Sequence, residues 1–279
     1  MDTDAVPIAL IHVISTNTGR VSGGEGYLIK SESKPMKLPI PEKINSLRDF
    51  YAFEQHVKTA RANRGLDMIP EWYELPVFYF SNHNAIFHDS DTVPMPRSTQ
   101  RLDYELEIAF IIGEGGINIR AEDALRHIAG FTIMNDWSAR DIQMKEMRVG
   151  LGPAKGKDFA TSLGPYIITP DELTDRTIGT GADLRYDLTR TARVNGQELS
   201  RGNTKDIYFP FAQLIERASA DVMLYPGDVI GSGTVGTGCL LELGGEKSAL
   251  GRWLQPGDVV ELEIERLGIL RNTVGPPLG

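Results

Sequence analysis

The sequence predicts an α+β fold that is rich in β-structure. Between residues 103 and 113 apolar and polar residues alternate with a period of two, which is typical of a strand with two distinct faces. From residue 164 onwards, short β-branched runs are separated by turn residues. These include an Asn195-Gly196 pair and two Pro-Gly-Asp turns that end at Asp228 and Asp258. Helical periodicity is confined to a few short stretches, so strands dominate the prediction.

The predicted elements divide the chain into two parts. A small β-rich N-terminal segment with its linker comprises residues 1–45, because two short strands are followed by a stretch rich in Pro, Lys and Ser. The main domain comprises residues 46–279. In chain order, strands are predicted at 7–13, 27–30, 77–80, 103–113, 131–134, 165–168, 183–188, 191–194, 222–224, 229–230 and 259–264, and helices at 47–63, 121–129 and 210–218.

The composition indicates a globular protein and argues against several kinds of partner. The 279 residues are 41% hydrophobic, which is enough for a sizeable core. Lys and Arg number 29 against 38 Asp and Glu, and the resulting formal charge of -9 argues against nucleic acid and anionic membranes as partners. The single cysteine, Cys239, rules out an intramolecular disulfide framework. Because the N-terminus lacks a secretory pattern and no apolar run approaches a membrane span, we expect a cytoplasmic protein.

Two carboxylates, Glu105 and Glu107, lie on the same side of the predicted strand at 103–113. Side chains two residues apart on a strand are on the order of 6.5 Å apart, so both carboxylates could reach one cation. For an isolated Glu-Leu-Glu, the alternative is an ordinary half-buried strand with a solvated acidic face.

The helix predicted at 47–63 places Asp49 and His56 on one face, so both could look into a cleft. A histidine at the surface of a helix is the alternative for His56. Tyr79, in the next predicted strand, fits either core packing or a phenol at the mouth of a site.

Asp136, Arg140 and Gln143 follow the predicted strand at 131–134 and recur at i, i+4 and i+7. On a helix, this spacing turns a carboxylate, a guanidinium and an amide towards one place. The alternative is a routine surface ion pair, worth a few tenths of a kcal/mol. The position directly after a core strand favours ligand binding.

Two glycine-rich segments carry further polar groups. Residues 150–159 contain Lys155 and Lys157, either of which suits an anionic oxygen beside clustered carboxylates. In the segment 231–236, backbone N–H groups and the Thr234 hydroxyl could hold a carboxylate, and a plain glycine-rich hairpin is the alternative. Glu242 lies in an apolar run, either as an acid that orients a base or as a half-exposed strand residue.

Taken together, four motifs resemble the fumarylacetoacetate hydrolase family. They are Glu105-Leu-Glu107, Asp136-Trp-Ser-Ala-Arg-Asp-Ile-Gln143, Gly156-Lys-Asp-Phe159 and Gly231-Ser-Gly-Thr-Val-Gly236. The match covers roughly residues 47–267. The resemblance implies a mixed β-roll or β-sandwich core with peripheral helices, usually in a homodimer, and a Mg2+, Mn2+ or Ca2+ ion held by carboxylates.

The resemblance also implies a role for individual residues. The positions that match metal ligands are Asp49, Glu105, Glu107 and Asp136. His56 matches the histidine that activates water, Glu242 the acid that pairs with it, and Lys157 a catalytic lysine, preferred to Lys155 by the Gly-Lys-x-Phe pattern. The substrate-binding positions are Tyr79, Arg140, Gln143 and Thr234. Two departures are a Ser81-Asn82 pair where many bacterial members have Lys-Pro, and a shorter N-terminal part than in the eukaryotic hydrolase.

We therefore predict a hydrolase that acts on carbon-carbon bonds in ketonic substances, with a small oxo acid as its substrate. It would cleave a 1,3-diketo acid of fumarylacetoacetate or acylpyruvate type through a metal-bound enolate, with His56 oriented by Glu242 taking a proton from water. The same metal-enolate chemistry serves decarboxylation of oxaloacetate and isomerisation or hydration of unsaturated 2-oxo diacids in aromatic catabolism. Those reactions need no hydrolytic His-Glu pair. A metal-stabilised binding protein without turnover is the non-enzyme alternative.

Overall fold

A computed structural model describes residues 37–278 of the chain. The strands predicted at 7–13 and 27–30 lie outside the described residues, as does the part of the predicted linker before Lys37. The division at residue 45 therefore stays a prediction.

The described part contains seventeen strands and five α-helices, joined by turns and short 3-10 helices. The strands are β1 (Lys37–Leu38), β2 (Leu47–Phe50), β3 (Phe78–Ser81), β4 (Ile86–Phe87), β5 (Thr92–Pro94), β6 (Leu102–Asp103), β7 (Leu106–Ile112), β8 (Ile128–Asp136), β9 (Ser138–Ala139), β10 (Thr161–Ile168), β11 (Thr177–Ile178), β12 (Arg185–Tyr186), β13 (Thr189–Val194), β14 (Gln197–Asn203), β15 (Val229–Gly231), β16 (Val259–Ile264) and β17 (Gly268–Gly275). The α-helices are α1 (Glu54–Ala62), α2 (Glu71–Glu74), α3 (Ala121–Ala124), α4 (Arg140–Val149) and α5 (Phe211–Ser219).

Two sheets form most of the fold. The larger has the strand order β1-β10-β8-β7-β15-β2-β3, with β4 paired to β10, and the other has the order β14-β13-β16-β17-β5. In the larger sheet β8, β7 and β15 pair antiparallel, whereas β15 and β2 pair parallel. The predicted α+β, β-rich class is confirmed. None of the helices in the described part of the chain has both the length and the apolar character needed to cross a membrane.

Strand β7 confirms the alternation read from the sequence. Leu106, Ile108 and Phe110 pack into the main core cluster, whereas Ala109 on the other face belongs to a second apolar cluster. All seven residues of β7 are buried. The alternative of a solvated acidic face is therefore wrong, and the carboxylate of Glu107 is placed in the interior.

The helix predicted at 47–63 is wrong in its first part. Leu47–Phe50 forms β2, which pairs with β15 on one side and with β3 on the other, and helix α1 begins only at Glu54. The pairing satisfies the backbone of four residues that are all buried. A short apolar run suits a strand or a helix equally well until its neighbours are known.

Asp136 also differs from its prediction. It ends strand β8, opposite Thr161 of β10, and helix α4 begins four residues later at Arg140. The predicted stripe on one helix is therefore reduced to Arg140 and Gln143, because strand pairing extends β8 as far as Asp136.

The remaining differences concern weak elements and turns. The strand predicted at 222–224 makes only one isolated bridge, from Leu224 to Gly116. The helix predicted at 121–129 ends early, because β8 begins at Ile128. The Asn195-Gly196 turn is confirmed, with φ angles of 51° and 80° between β13 and β14. Both Pro-Gly-Asp turns are closed by the aspartate side chain, which accepts the N–H of the first turn residue at 2.8 Å.

Candidate active site

Four buried carboxylates meet on one face of the larger sheet. Asp49 comes from β2, Glu105 directly precedes β7, Glu107 lies in β7 and Asp136 ends β8. One oxygen atom from each lies within 4.8 Å of the others. No more than 5% of any of these residues is exposed. The larger sheet therefore brings together the four positions predicted to bind metal.

Two buried cations contact this cluster. The Lys157 ammonium donates to Glu105 Oε2 at 2.6 Å and also to Asp136, and the Arg140 guanidinium donates to Glu105 Oε1 at 2.8 Å. Lys155 is exposed and pairs with the neighbouring Asp158 at 2.8 Å. The structure thus separates the two lysines of the glycine-rich loop and brings only Lys157 to the carboxylates.

The protein raises the pKa of three of these carboxyl groups and lowers the pKa of the fourth. Burial raises the pKa of Glu107 to about 8, assisted by the charges of Glu105 and Asp136. Burial and the neighbouring charges of Glu107 and Asp136 raise the pKa of Asp49 well above its usual range. Burial also raises the pKa of Asp136, against the opposing effect of Lys157. At Glu105, burial is outweighed by Lys157 and Arg140, which hold the pKa of this carboxyl low.

The cluster fits a hard divalent cation. Asp49 Oδ1 and Asp136 Oδ1 are buried without a hydrogen-bond partner, a costly arrangement unless another group satisfies them. When ionised, as metal ligands must be, the four acidic side chains exceed the positive charge that Lys157 and Arg140 supply. The donors are all oxygen atoms, which is the preference of Mg2+, Mn2+ and Ca2+.

The glycine-rich segment at 231–236 supports this cluster. The Gly233 N–H donates to Glu107 Oε2 at 3.0 Å and the Thr234 hydroxyl donates to Glu107 Oε1 at 3.2 Å. A Cβ atom on Gly231 would lie 2.5 Å from Asp49 Oδ1, so a larger residue there would displace this carboxylate. Of the two possibilities that the composition left open, the structure shows a segment that holds a carboxylate, and that carboxylate belongs to Glu107.

His56 and Glu242 form a buried pair beside the cluster. His56 Nδ1 lies 2.7 Å from Glu242 Oε2, and the two side chains are 5% and 2% exposed. Glu242 also accepts the N–H groups of Thr237 at 3.2 Å and Gly238 at 3.1 Å. An ionised carboxylate only accepts hydrogen bonds, so beside an ionised Glu242 the proton lies on Nδ1, and in the neutral ring Nε2 is then the nitrogen that can accept a proton. The alternative of a surface histidine is therefore wrong for His56, because its side chain is buried. The alternative of a half-exposed strand residue is wrong for Glu242, because this residue lies in a turn and its side chain is buried.

A cavity of about 1000 Å³ opens over these groups, and all the predicted site residues line it except Asp136 and Glu242. The Tyr79 hydroxyl donates to Asp136 Oδ2 at 2.5 Å, and Arg140 donates to Gln143 Oε1 at 3.1 Å. Tyr79, Arg140 and Thr234 thus bind acids of the chain itself. Substrate binding by Tyr79, Arg140, Gln143 and Thr234 stays a prediction.

Asp103 is a residue that the sequence analysis missed. This fully buried carboxylate accepts Arg140 Nε at 2.8 Å, and it accepts the N–H groups of Leu240 at 2.7 Å and Leu241 at 3.0 Å. It therefore links Arg140 to the turn that carries Glu242. The signal was present, because position 103 continues the alternation of Glu105 and Glu107 on the same side.

Comparison with known families agrees with this site. The family model described as fumarylacetoacetate (FAA) hydrolase C-terminal matches residues 45–275. The chain belongs to the fumarylacetoacetate hydrolase family. The resemblance seen in the four sequence motifs is thereby confirmed, and the family places the chain among enzymes.

Relatives within the family carry different activities in their names. The human mitochondrial oxaloacetate tautomerase is 38% identical over 202 residues, which are 71% of this chain and 59% of that protein, so the match leaves two fifths of the tautomerase uncovered. A probable 2-hydroxyhepta-2,4-diene-1,7-dioate isomerase from Mycobacterium abscessus has a TM-score of 0.66 at 29% identity, covering 87% of this chain and 79% of that one. Fumarylpyruvate hydrolase from Pseudomonas aeruginosa, solved with Mn2+ and pyruvate, has a TM-score of 0.67 at 21% identity over 90% of this chain and 100% of that one. The last likeness shows the fold alone.

Proposed function

We propose that this chain is a metal-dependent hydrolase that cleaves the carbon-carbon bond of a 1,3-diketo acid of acylpyruvate or fumarylacetoacetate type. The observation that carries this proposal is the buried pair of His56 and Glu242, in which His56 lines the same cavity as the carboxylate cluster. A fixed base next to a cation site is what the addition of water to a carbonyl group requires.

The cation and the protein have separate tasks. A divalent ion held by Asp49, Glu105, Glu107 and Asp136 would polarise the two oxygens of the diketo acid and favour negative charge on the leaving enolate. His56 Nε2 takes a proton from water while Glu242 fixes the ring and stabilises the imidazolium that forms. The hydroxide adds to the acyl carbonyl, the carbon-carbon bond breaks, and the bonding pair passes to the enolate. His56 then returns the proton to the enolate carbon, which leaves two acids.

Lys157 and Arg140 retain hydrogen-bond donors for the substrate. An ammonium has three N–H groups, of which Lys157 uses two on Glu105 and Asp136. Arg140 uses one N–H each on Asp103, Glu105 and Gln143 and keeps one on each terminal nitrogen. Both side chains could therefore bind a substrate carboxylate or the developing oxyanion without breaking their contacts to the cluster.

Keto-enol tautomerisation of oxaloacetate is the second candidate, because the human relative at 38% identity carries that name. Such a reaction moves a proton between carbon and oxygen, which His56 could also do. The carbon atom between two carbonyl groups is already acidic, however, and a bound cation makes it more so. The addition of water depends more strongly on an oriented base, and we therefore place hydrolysis first.

A substrate panel tests the proposal. We expect the purified chain with Mg2+ or Mn2+ to cleave acetylpyruvate or fumarylacetoacetate, seen as loss of diketo absorbance with formation of two acids. Parallel assays with oxaloacetate follow decay of the enol absorbance for tautomerisation and release of carbon dioxide for decarboxylation. Turnover of oxaloacetate alone, with every diketo acid left intact, would contradict hydrolysis. Tight binding without conversion of any compound would favour the metal-stabilised binding protein.

Asp103→Asn should lower kcat/KM for the diketo acid about 10- to 100-fold, the usual effect of losing a group that orients functional residues. The amide cannot hold Arg140 and both turn N–H groups as the carboxylate does, so Arg140 and the Glu242 turn lose their common support. Asp228→Asn is the matched control, since Asp228 is an equally buried carboxylate that binds Ser46 and Arg48. If both variants lose only stability and keep kcat and KM when folded, Asp103 has no positioning role.

A further inference from the structure

We infer that the outer half of the active-site cavity is a binding site for an apolar substrate tail, so that the preferred substrate is a 2,4-diketo acid with a hydrocarbon acyl chain rather than a small diacid. This inference rests on the proposed function, which supplies the chemistry of the head group. The evidence for the tail is the set of apolar residues that line the cavity. At about 1000 Å³, the cavity is at the upper end of ligand pockets and exceeds what a small oxo diacid needs.

Helix α4 forms one wall of the cavity, and the residues with which it lines the cavity change from polar to largely apolar along the helix. Its first turns place Arg140 and Gln143 at the buried end, beside the carboxylates. The same face continues with Met144 and Met147, and the loop after the helix adds Leu151. Seven residues separate Arg140 from Met147, so this wall extends roughly 10 Å outward from the charged end.

Helix α1 lines another part of the cavity. His56 lines the buried end and Ala60, one turn further along the helix, lines the cavity next. Leu66, after the helix, and Leu241, beside the Glu242 turn, complete this side. Towards the mouth this wall is mixed, because the exposed Asn63 and Arg64 also line it, so the apolar surface there comes from Leu66 and Leu241.

The apolar residues at the mouth are exposed, so a bound tail would remove them from water. Leu66 is 47%, Met147 42% and Leu151 95% exposed. The methionine side chain is flexible and adapts to tails of different shape. Arg64 and Arg148 also line the mouth, but both are exposed, and a solvated ion pair with a distal carboxylate contributes little. The burial of apolar surface therefore favours a hydrocarbon tail over a charged one.

Binding of straight-chain 2-oxo acids to the full-length protein with saturating Mg2+ tests the tail site without requiring turnover. We expect the dissociation constants measured by calorimetry to fall from pyruvate through 2-oxohexanoate to 2-oxooctanoate, by about two- to fourfold per added methylene. Equal affinity along the series would overturn the inference, and so would tighter binding of a 2-oxo diacid of the same length. Equal affinity is also the result expected if another part of the chain or a second copy covers the wall.

A pair of exposed apolar residues supplies the variant and its control. Met147→Ser should weaken 2-oxooctanoate about three- to fivefold and leave pyruvate unchanged, because only the tail reaches this position. Val149 is 83% exposed and does not line the cavity, so Val149→Ser should change neither ligand. Equal effects of the two substitutions would contradict a tail contact at Met147.

Turnover separates this inference from the proposed function. If no diketo acid is cleaved while 2-oxo acid affinity still rises with chain length, the tail site stands and the hydrolase proposal fails. If acetylpyruvate and octanoylpyruvate are cleaved with equal kcat/KM and the binding series is flat, the hydrolase proposal stands and the tail site fails.

Discussion

Replacing His56 with alanine should lower kcat for diketo-acid hydrolysis by about a thousandfold and leave the bound metal unchanged. His56 is the base that takes the proton from water, and a positioned general base typically contributes 10²- to 10⁴-fold. Its Nδ1 is bound to Glu242, which is not one of the four metal-binding carboxylates. The measurements are kcat with saturating substrate and the metal content of the purified variant.

A second buried histidine provides the control for this experiment. His127 is 4% exposed, like His56, but its Nδ1 lies 2.8 Å from the Glu114 carbonyl oxygen and it does not line the cavity. His127→Ala should therefore reduce stability without changing kcat of the folded protein. Near-normal turnover by His56→Ala would remove His56 from the mechanism while leaving the metal site in place.

The acidic pair of Glu105 and Glu107 was predictable because its signal is local. A period of two fixes which side chains share a face of a strand, whatever the strand pairs with. Helical spacing is an equally local signal, and it placed Arg140 and Gln143 on one face of a helix. In each of these cases the residues that act together are close in sequence.

The position of Asp49 could not be predicted in the same way. Its strand β2 exists because Leu47–Phe50 pairs with β15, which lies about 180 residues further along the chain. Glu242 is similar, because alternating Leu-Glu-Leu is compatible with a strand. Its turn depends on contacts from Asp103 to the backbone of Leu240 and Leu241, which are remote in sequence. Local patterns therefore identified the residue types, and long-range pairing decided the elements that carry them.

Magnesium should stabilise the protein strongly at pH 8 and much less at pH 5.5. In the metal-free protein the pKa of Glu107 is raised from 4.5 to about 8, and the pKa of Asp49 is raised too. Between pH 4.5 and 8 the folded chain thus binds protons that the unfolded chain has released, so the free energy of unfolding falls as pH rises. Metal ligands must be deprotonated, so Mg2+ binds more tightly over the same interval and releases protons.

Thermal unfolding with EDTA or Mg2+ across this pH range measures the effect. At a free Mg2+ concentration of about 100 times Kd, the expected gain is about 2.7 kcal/mol. Calorimetry in two buffers of different ionisation enthalpy should show proton release at pH 7, and Glu107→Gln should reduce that release because it removes the carboxyl that titrates near 8. Asp228→Asn, a buried carboxyl outside the cluster, should leave Mg2+ binding unchanged. A Tm that Mg2+ raises equally at both pH values would show that these carboxylates do not hold the ion.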